Sequence, residues 1–470
     1  HATQHHLSSY VAKTLYGLED VLADELEALG AYDIEIGRRM VRFRGDKRML
    51  YLTNYRLRTA LRILKPIYEF NCESIEDLYE TLRQFAWDRY LRCDQTFLID
   101  PVVFSDRFSN SRYVSYRVKD AIADYFVANT PDGKRPSVRM DTPDVRFNIH
   151  IAQKHVTLSL DSSGDSLHKR GYKVKQTPAP LSEVLAAGIL LKAGWQGQCD
   201  LIDPMCGSGT FAIEAALIAR GVAAGAWRTK YAFEEWADFD ADLWREVQEA
   251  PNFETPFEHH IYASDIANDA YTVTNANVQH MGLGHDITVE HIAMQRRNAP
   301  EAPVLMVLNP PYGERLTRFD LEELKHKYAG SKVWIIAPKS KLFHAIGLRH
   351  SSRLDLLNGD LECELRSYEL FEGKRDDFKR DLAEGKPRTY ATSRPYRERK
   401  QERAPREKRP EKEKTFKSSS PEPEEKTRRP RFGGKGQHGS RGPKDRFGRR
   451  GDEDRPSRKS RIQVFDDSNQ

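Results

Sequence analysis

Three short segments hold residues whose types and spacing could do chemistry. The first is Asp203-Pro204-Met205-Cys206-Gly207-Ser208-Gly209-Thr210, between an apolar run at 199–202 and a helical pattern at 209–220. Glycines at 207 and 209 let the backbone approach a ligand closely. The first turn of the following helix presents unpaired N–H groups that favour a carboxylate. S-adenosylmethionine (SAM) carries one. A phosphate-cradling loop would end in Gly-Lys-Ser/Thr, whereas Gly209 is followed by Thr210-Phe211, which disfavours nucleotide hydrolysis. Taken alone, the segment favours a ligand loop only moderately over a tight strand-to-helix turn with no ligand.

The second segment is Asp265-Ile266, at the end of the run Tyr262-Ala263-Ser264. An acidic residue at the end of a second strand can accept hydrogen bonds from ribose hydroxyls, and it can also cap the helix that follows. The third is Asn309-Pro310-Pro311-Tyr312, directly after the apolar run 304–308. Two prolines after a strand make a stiff, extended turn without N–H donors. There the Asn309 side-chain oxygen and the Pro310 carbonyl can both accept from one exocyclic NH2 while Tyr312 stacks on the flat ring, a contact worth about 1–3 kcal/mol. The chemistry is in-line transfer of a sulfonium methyl to that nitrogen, accelerated by positioning and by the polarising carbonyls. A loop stiffener is the bland alternative for Pro-Pro-Tyr.

The elements that must carry these loops follow from periodicity. Runs of four to six apolar residues at 199–202, 261–263, 304–308 and 333–337 alternate with helical patterns at 181–192, 209–220, 267–281 and 321–328. This is the signature of a doubly wound parallel sheet covered on both faces, spanning 165–385, with an insertion at 226–257. Ahead of it stand two small α+β modules, residues 1–65 and 66–164. The first reads as strand 10–16, a helix ending at Gly30, paired strands over 34–44 and a helix over 47–64. The second reads as helix 75–90, strand 97–103, helix 112–126 and strands 145–151 and 155–160.

The chain's 470 residues carry a net charge of +5, unevenly spread. Residues 386–470 hold 27 lysines and arginines against 14 acidic residues, a net of +13, and the rest carries about −8. This tail has almost no aliphatic residues and is expected to be disordered. Its Arg441-Gly442 and Phe447-Gly448-Arg449-Arg450-Gly451 segments suit a polyanionic partner, with a solubilising tail as the alternative. No run approaches a membrane span, so a soluble, cytoplasmic protein without a membrane partner is expected. The five scattered cysteines form no C-x-x-C pair, which argues against disulfides and a metal site.

Asp203–Thr210 together with Asn309–Tyr312 resembles the THUMP-domain RNA guanine-N2 methyltransferases. The segments 161–172, 179–187, 308–316 and 358–363 are similar to the connector, first helix and late turns of that family. The last two resemble its large-subunit ribosomal RNA branch, which includes the L half of bacterial RlmKL. The resemblance implies a ferredoxin-like piece, a THUMP RNA-binding module and a Rossmann-like methyltransferase domain. It implies SAM as cofactor, ribosomal RNA or the large-subunit precursor as partner, and N2-methylguanosine in 23S rRNA as product. Transfer RNA as substrate, or a ribosome assembly factor with secondary methylation, are the other readings.

Residue by residue, the resemblance places Asp203, Pro204, Cys206, Gly207, Ser208, Gly209 and Thr210 at the methionine end of SAM. It places Asp265 and Ile266 at the ribose, and Asn309, Pro310, Pro311 and Tyr312 around the target amine. His168, Lys169, Arg170, Tyr172 and Lys173 form a basic aromatic strap expected to touch RNA phosphates, or else a solvated linker. One position departs from the family. After the third strand, where relatives place an adenine-binding Asp, residues 289–294 offer only Glu290, His291 and Ile292-Ala293-Met294. Adenine is then expected to be met by backbone groups.

Overall fold

The structure is a computed structural model that describes residues 6–384, apart from 253, 302, 312–317, 340–342, 344–347, 372 and 374. The tail and Tyr312 therefore lie outside the described residues.

The N-terminal half contains β1 (Ser8–Lys13), α1 (Glu19–Ala28), β2 (Tyr32–Gly37), β3 (Met40–Gly45), α2 (Lys47–Arg56), β4 (Arg62–Asn71), α3 (Ile75–Arg83), β5 (Thr96–Phe104), α4 (Ser111–Asn129), β6 (Ser137–Val138), β7 (Val145–Ala152) and β8 (His155–Asp161). These strands make one eight-stranded sheet in the order β2-β3-β1-β4-β8-β7-β5-β6. The two modules therefore share a sheet, with β4 as the seam: Leu64 pairs with Val11 of β1 on one side and with Asp161 of β8 on the other.

Two helices end earlier than their patterns predict. The segment 47–64 is helical only to Arg56, because the backbone N–H groups of Arg58 and Thr59 donate to the Glu25 carboxylate at 2.8 and 3.1 Å instead of to helix carbonyls. The chain then re-enters the sheet as β4 and runs through Pro66, whose missing N–H is tolerated where the β4–β8 register shifts between Pro66 and Tyr68. The helix expected over 75–90 stops at Arg83. Trp87 then turns into the core, fully buried, and its indole N–H donates to the Leu82 carbonyl at 2.7 Å.

The second half contains α5 (Glu183–Lys192), β9 (Asp200–Asp203), α6 (Thr210–Arg220), α7 (Ala241–Glu249), β10 (Ile261–Asp265), α8 (Asn268–His280), β11 (Ile287–His291), β12 (Val304–Leu308), α9 (Arg318–Lys327), β13 (Lys332–Pro338), β14 (Ser352–Asn358), β15 (Leu361–Glu369) and α10 (Arg375–Ala383). The sheet order is β11-β10-β9-β12-β13-β15-β14. β9 to β13 are mutually parallel, and the closing hairpin β14–β15 runs antiparallel. The chain leaves β9 first toward β10 and later returns to β12 on its other side. The gap beyond the carboxyl ends of β9 and β12 is thus the topological switch point, where open α/β sheets bind ligands.

The insertion 226–257 docks the N-terminal module. Tyr51 and Tyr55 of α2 pack on Phe233 and Trp244 at ring distances of 4.4 and 5.7 Å, and Tyr231 joins the cluster. The Tyr51 hydroxyl accepts from the Asp240 N–H at 3.0 Å. Among the described residues no helix is long and apolar enough to cross a membrane.

Candidate active site

The three segments singled out in the sequence open on one edge of the second sheet. Ala263 of β10 pairs with Asp203 of β9, so Asp265 lies just beyond it; Met306 of β12 pairs with Ile202, so Asn309 lies just beyond β12 on the other side. The strand interiors are apolar and buried, which leaves the polar groups only at the ends.

Asp203 is 1% exposed and neither carboxylate oxygen has a hydrogen-bond partner. Burial, reinforced by the charge of Asp265, pushes its carboxyl well above the usual carboxylate range; the Met205 amide, outside bonding geometry, offsets little of this. A buried acid with no partner is costly unless a cation arrives to pair with it.

The glycine loop beside it is held from three sides. The Asp265 carboxylate accepts from the Gly207 N–H at 3.1 Å and from the Ala267 N–H at 2.9 Å. Both oxygens keep lone pairs for further donors such as ribose hydroxyls. From α8, Thr274 donates to the Gly207 carbonyl at 2.8 Å, and Asn277 donates to the carbonyls of Ser208 and Lys175 at 3.1 and 2.9 Å. The Asn277 oxygen accepts from the N–H groups of Val174 and Lys175. The Thr177 N–H donates to the Ser208 hydroxyl at 2.8 Å. Thr177, Thr274 and Asn277 were not among the residues expected. The signal for the pair on α8 is two polar residues three apart on a face that turns out fully buried.

Gly207 and Gly209 both have positive φ, +53° and +82°. A Cβ on Gly209 would lie 2.7 Å from the Thr274 methyl, whereas one on Gly207 would meet only the Thr177 hydroxyl at 3.8 Å and project into open space. Gly209 serves packing as well as turn geometry, and Gly207 keeps a cradle clear. Thr210 opens α6 with its hydroxyl buried and unpartnered.

Cys206 is buried with its thiol 3.4 Å from the Thr274 hydroxyl, and burial pushes that thiol far up. Pro204 of the same segment is buried as well. Ile266 is 68% exposed and offers an apolar surface next to Asp265. An unpaired buried acid, a clear cradle at a helix start, an acceptor for hydroxyls and an exposed apolar side chain fit the ammonium, carboxylate, ribose and base of SAM in turn. Asn309 is half-buried, Pro310 buried and Pro311 exposed beyond β12.

The strap expected to contact RNA is corrected by the structure. Arg170 is 2% exposed; it donates to Glu214 of α6 at 2.9 Å, to the Leu167 carbonyl at 2.9 Å and to the Arg58 carbonyl at 2.7 Å. Tyr172 is fully buried and its hydroxyl donates to the same Glu214 oxygen at 3.1 Å. Lys173 pairs with Glu183 at 2.9 Å, both side chains nearly covered. His168 is half-buried, bonded to the Ser166 hydroxyl at 2.8 Å, and burial lowers its pKa. Only Lys169 faces solvent. Arg228 also donates to the carbonyls of Asp165 and Ser166, at 2.6 and 3.0 Å. The segment is a packed joint between the N-terminal module and α6. Its sequence signal was Glu214, a lone acid amid Phe211, Ala212, Ile213, Ala215 and Ala216.

Family models match three stretches of the chain. Residues 9–64 match the RlmL ferredoxin-like domain, 72–161 the THUMP domain and 170–367 the RMKL-like methyltransferase domain. A Synechocystis protein provisionally named RNA methyltransferase slr0064 is 33% identical over 373 residues, 77% of this chain and 97% of that protein. Among solved structures, SMU.472, provisionally named a methyltransferase and crystallised with S-adenosylhomocysteine (SAH), is 26% identical with a TM-score of 0.69, over 78% of this chain and 99% of that one. A provisionally named methylase of Clostridium difficile 630 is 26% identical with a TM-score of 0.70, over 79% and 100%. With ferredoxin-like, THUMP and methyltransferase modules in this order, the chain belongs to the THUMP-containing, RMKL-like family of RNA methyltransferases.

Proposed function

We propose that the chain transfers a methyl group from SAM to the exocyclic N2 of a guanine in 23S ribosomal RNA. The observation that carries this reading is the adjacency of β9 and β12, which opens the glycine loop and the Asn309-Pro310 turn on the same sheet edge. SAM as methyl donor is supported by the fit of Asp203, Gly207 and Asp265 and by the SAH held in SMU.472. RNA as substrate class is supported by the THUMP module and by the name of the Synechocystis relative. The large-subunit target rests on the likeness of 308–316 and 358–363 to that branch.

Bound SAM supplies a methyl on a sulfonium sulfur and leaves as the thioether; the guanine nitrogen gains the methyl and loses one proton to water. The chain's own residues do the positioning. The Asn309 oxygen and the Pro310 carbonyl accept the two amine hydrogens, turning the nitrogen lone pair toward the methyl and stabilising the positive charge that grows on nitrogen. Tyr312, by its place in the Asn-Pro-Pro-Tyr motif, would stack on the base. The guanine must be unpaired or flipped out to enter the turn.

The test is nucleoside mass spectrometry of fractionated RNA from cells with and without the gene. Loss of N2-methylguanosine from 23S rRNA supports the reading; loss from transfer RNA instead redirects it, and no loss refutes it. An Asn309→Ala variant should abolish transfer while SAH binding stays nearly intact.

A further inference from the structure

We propose that His291 reads the 6-amino group of the cofactor's adenine through its Nδ1; this rests on the SAM reading above. The strand order β9-β10-β11 places three ligand-facing ends in a row: the glycine loop, Asp265, then His291. His291 is the register partner of Asp265, about 5 Å away across parallel strands. A ribose held by Asp265 carries its base on the carbon beside the bonded hydroxyls, so the base extends toward the end of β11, over exposed Ile266.

The histidine is set as an acceptor. Its Nε2 lies 2.9 Å from the Ile266 carbonyl oxygen. A carbonyl only accepts, so Nε2 carries the proton and Nδ1 of the neutral ring is a bare acceptor. Tyr271 stacks on the imidazole at 5.8 Å and 23°, which holds the ring plane. The side chain is exposed at the sheet edge. Glu290, the only carboxylate between 287 and 297, points to the opposite face by strand alternation and is paired with Arg297 at 3.0 Å.

An acceptor at this place favours an amino group and repels an oxo group. The experiment is titration calorimetry of the full chain with SAH and with S-inosylhomocysteine, which carries oxygen at the 6-position. Wild type is expected to bind SAH roughly tenfold or more tighter. His291→Ala should bring the two ligands within about twofold, mainly by weakening SAH, and His291→Asp, an acceptor again, should keep the preference. A wild-type preference retained in His291→Ala overturns the proposal, as does equal wild-type affinity for both ligands. If wild type binds neither, the cofactor reading itself fails. Should His291→Ala unfold, as read by thermal melting, the wild-type pair and the His291→Asp arm decide.

Discussion

Asp265 Oδ2 accepts from the Gly207 N–H at 3.1 Å, so the acid at the end of one strand holds the ligand loop of its neighbour. The residue that would bind ribose therefore also shapes the cradle for the methionine end.

Asp265→Ala removes the acceptor for two backbone N–H groups at once. Each charge-assisted bond is worth about 1.5–3 kcal/mol. SAH affinity should fall by at least tenfold and the melting temperature should drop, with Asp265→Asn intermediate because one oxygen remains. Calorimetry and thermal melting check both; full affinity in the alanine variant would mean the loop keeps its shape unaided.

Asp203 should make the ligand-free protein less stable as pH rises. Its folded pKa is raised above the unfolded value of about 3.9, so the unfolded state gives up its proton first. From about pH 4 upward the native state binds more protons than the unfolded state. Stability therefore declines until the folded carboxyl ionises. Asp203→Asn should raise the melting temperature, more at pH 8 than at pH 5, while weakening SAH binding. A pH-independent difference in melting would show that the carboxyl carries no such burden.

Arg170→Met leaves Glu214 buried without its cation, a change that costs about 3–5 kcal/mol. Urea unfolding should show that loss, and RNA affinity measured well below the unfolding transition should keep its salt slope. A stable variant with weakened RNA binding would return Arg170 to the RNA interface.

Removing residues 386–470 takes away a net charge of +13. Counterion release then predicts a shallower dependence of RNA affinity on salt, with turnover on saturating RNA retained. Fluorescence anisotropy across a salt series measures the slope; an unchanged slope would make the tail a bystander.

The parts legible in the sequence were those governed by local rules. Glycines at positive φ, prolines without N–H groups and apolar runs between helical patterns act on their own few residues, so the loop at 203–210, the turn at 309–311 and the parallel sheet could be read directly. The closing hairpin at 352–369 was not among the elements read, although its turn at Asn358-Gly359-Asp360, with Gly359 at φ +63°, is a local feature.

What only tertiary structure decided were the partners. Nothing near Arg170 or Tyr172 in the chain announces that Glu214, more than 40 residues on, will take both in a buried joint. Glu25 ends α2 by capturing the amides of Arg58 and Thr59, and Asn277 binds a segment about 100 residues away. A charged or polar side chain has the same letter whether water or a buried counterpart satisfies it. Its role is set by which distant group the fold brings within about 3 Å, and that choice is made by packing of the whole core.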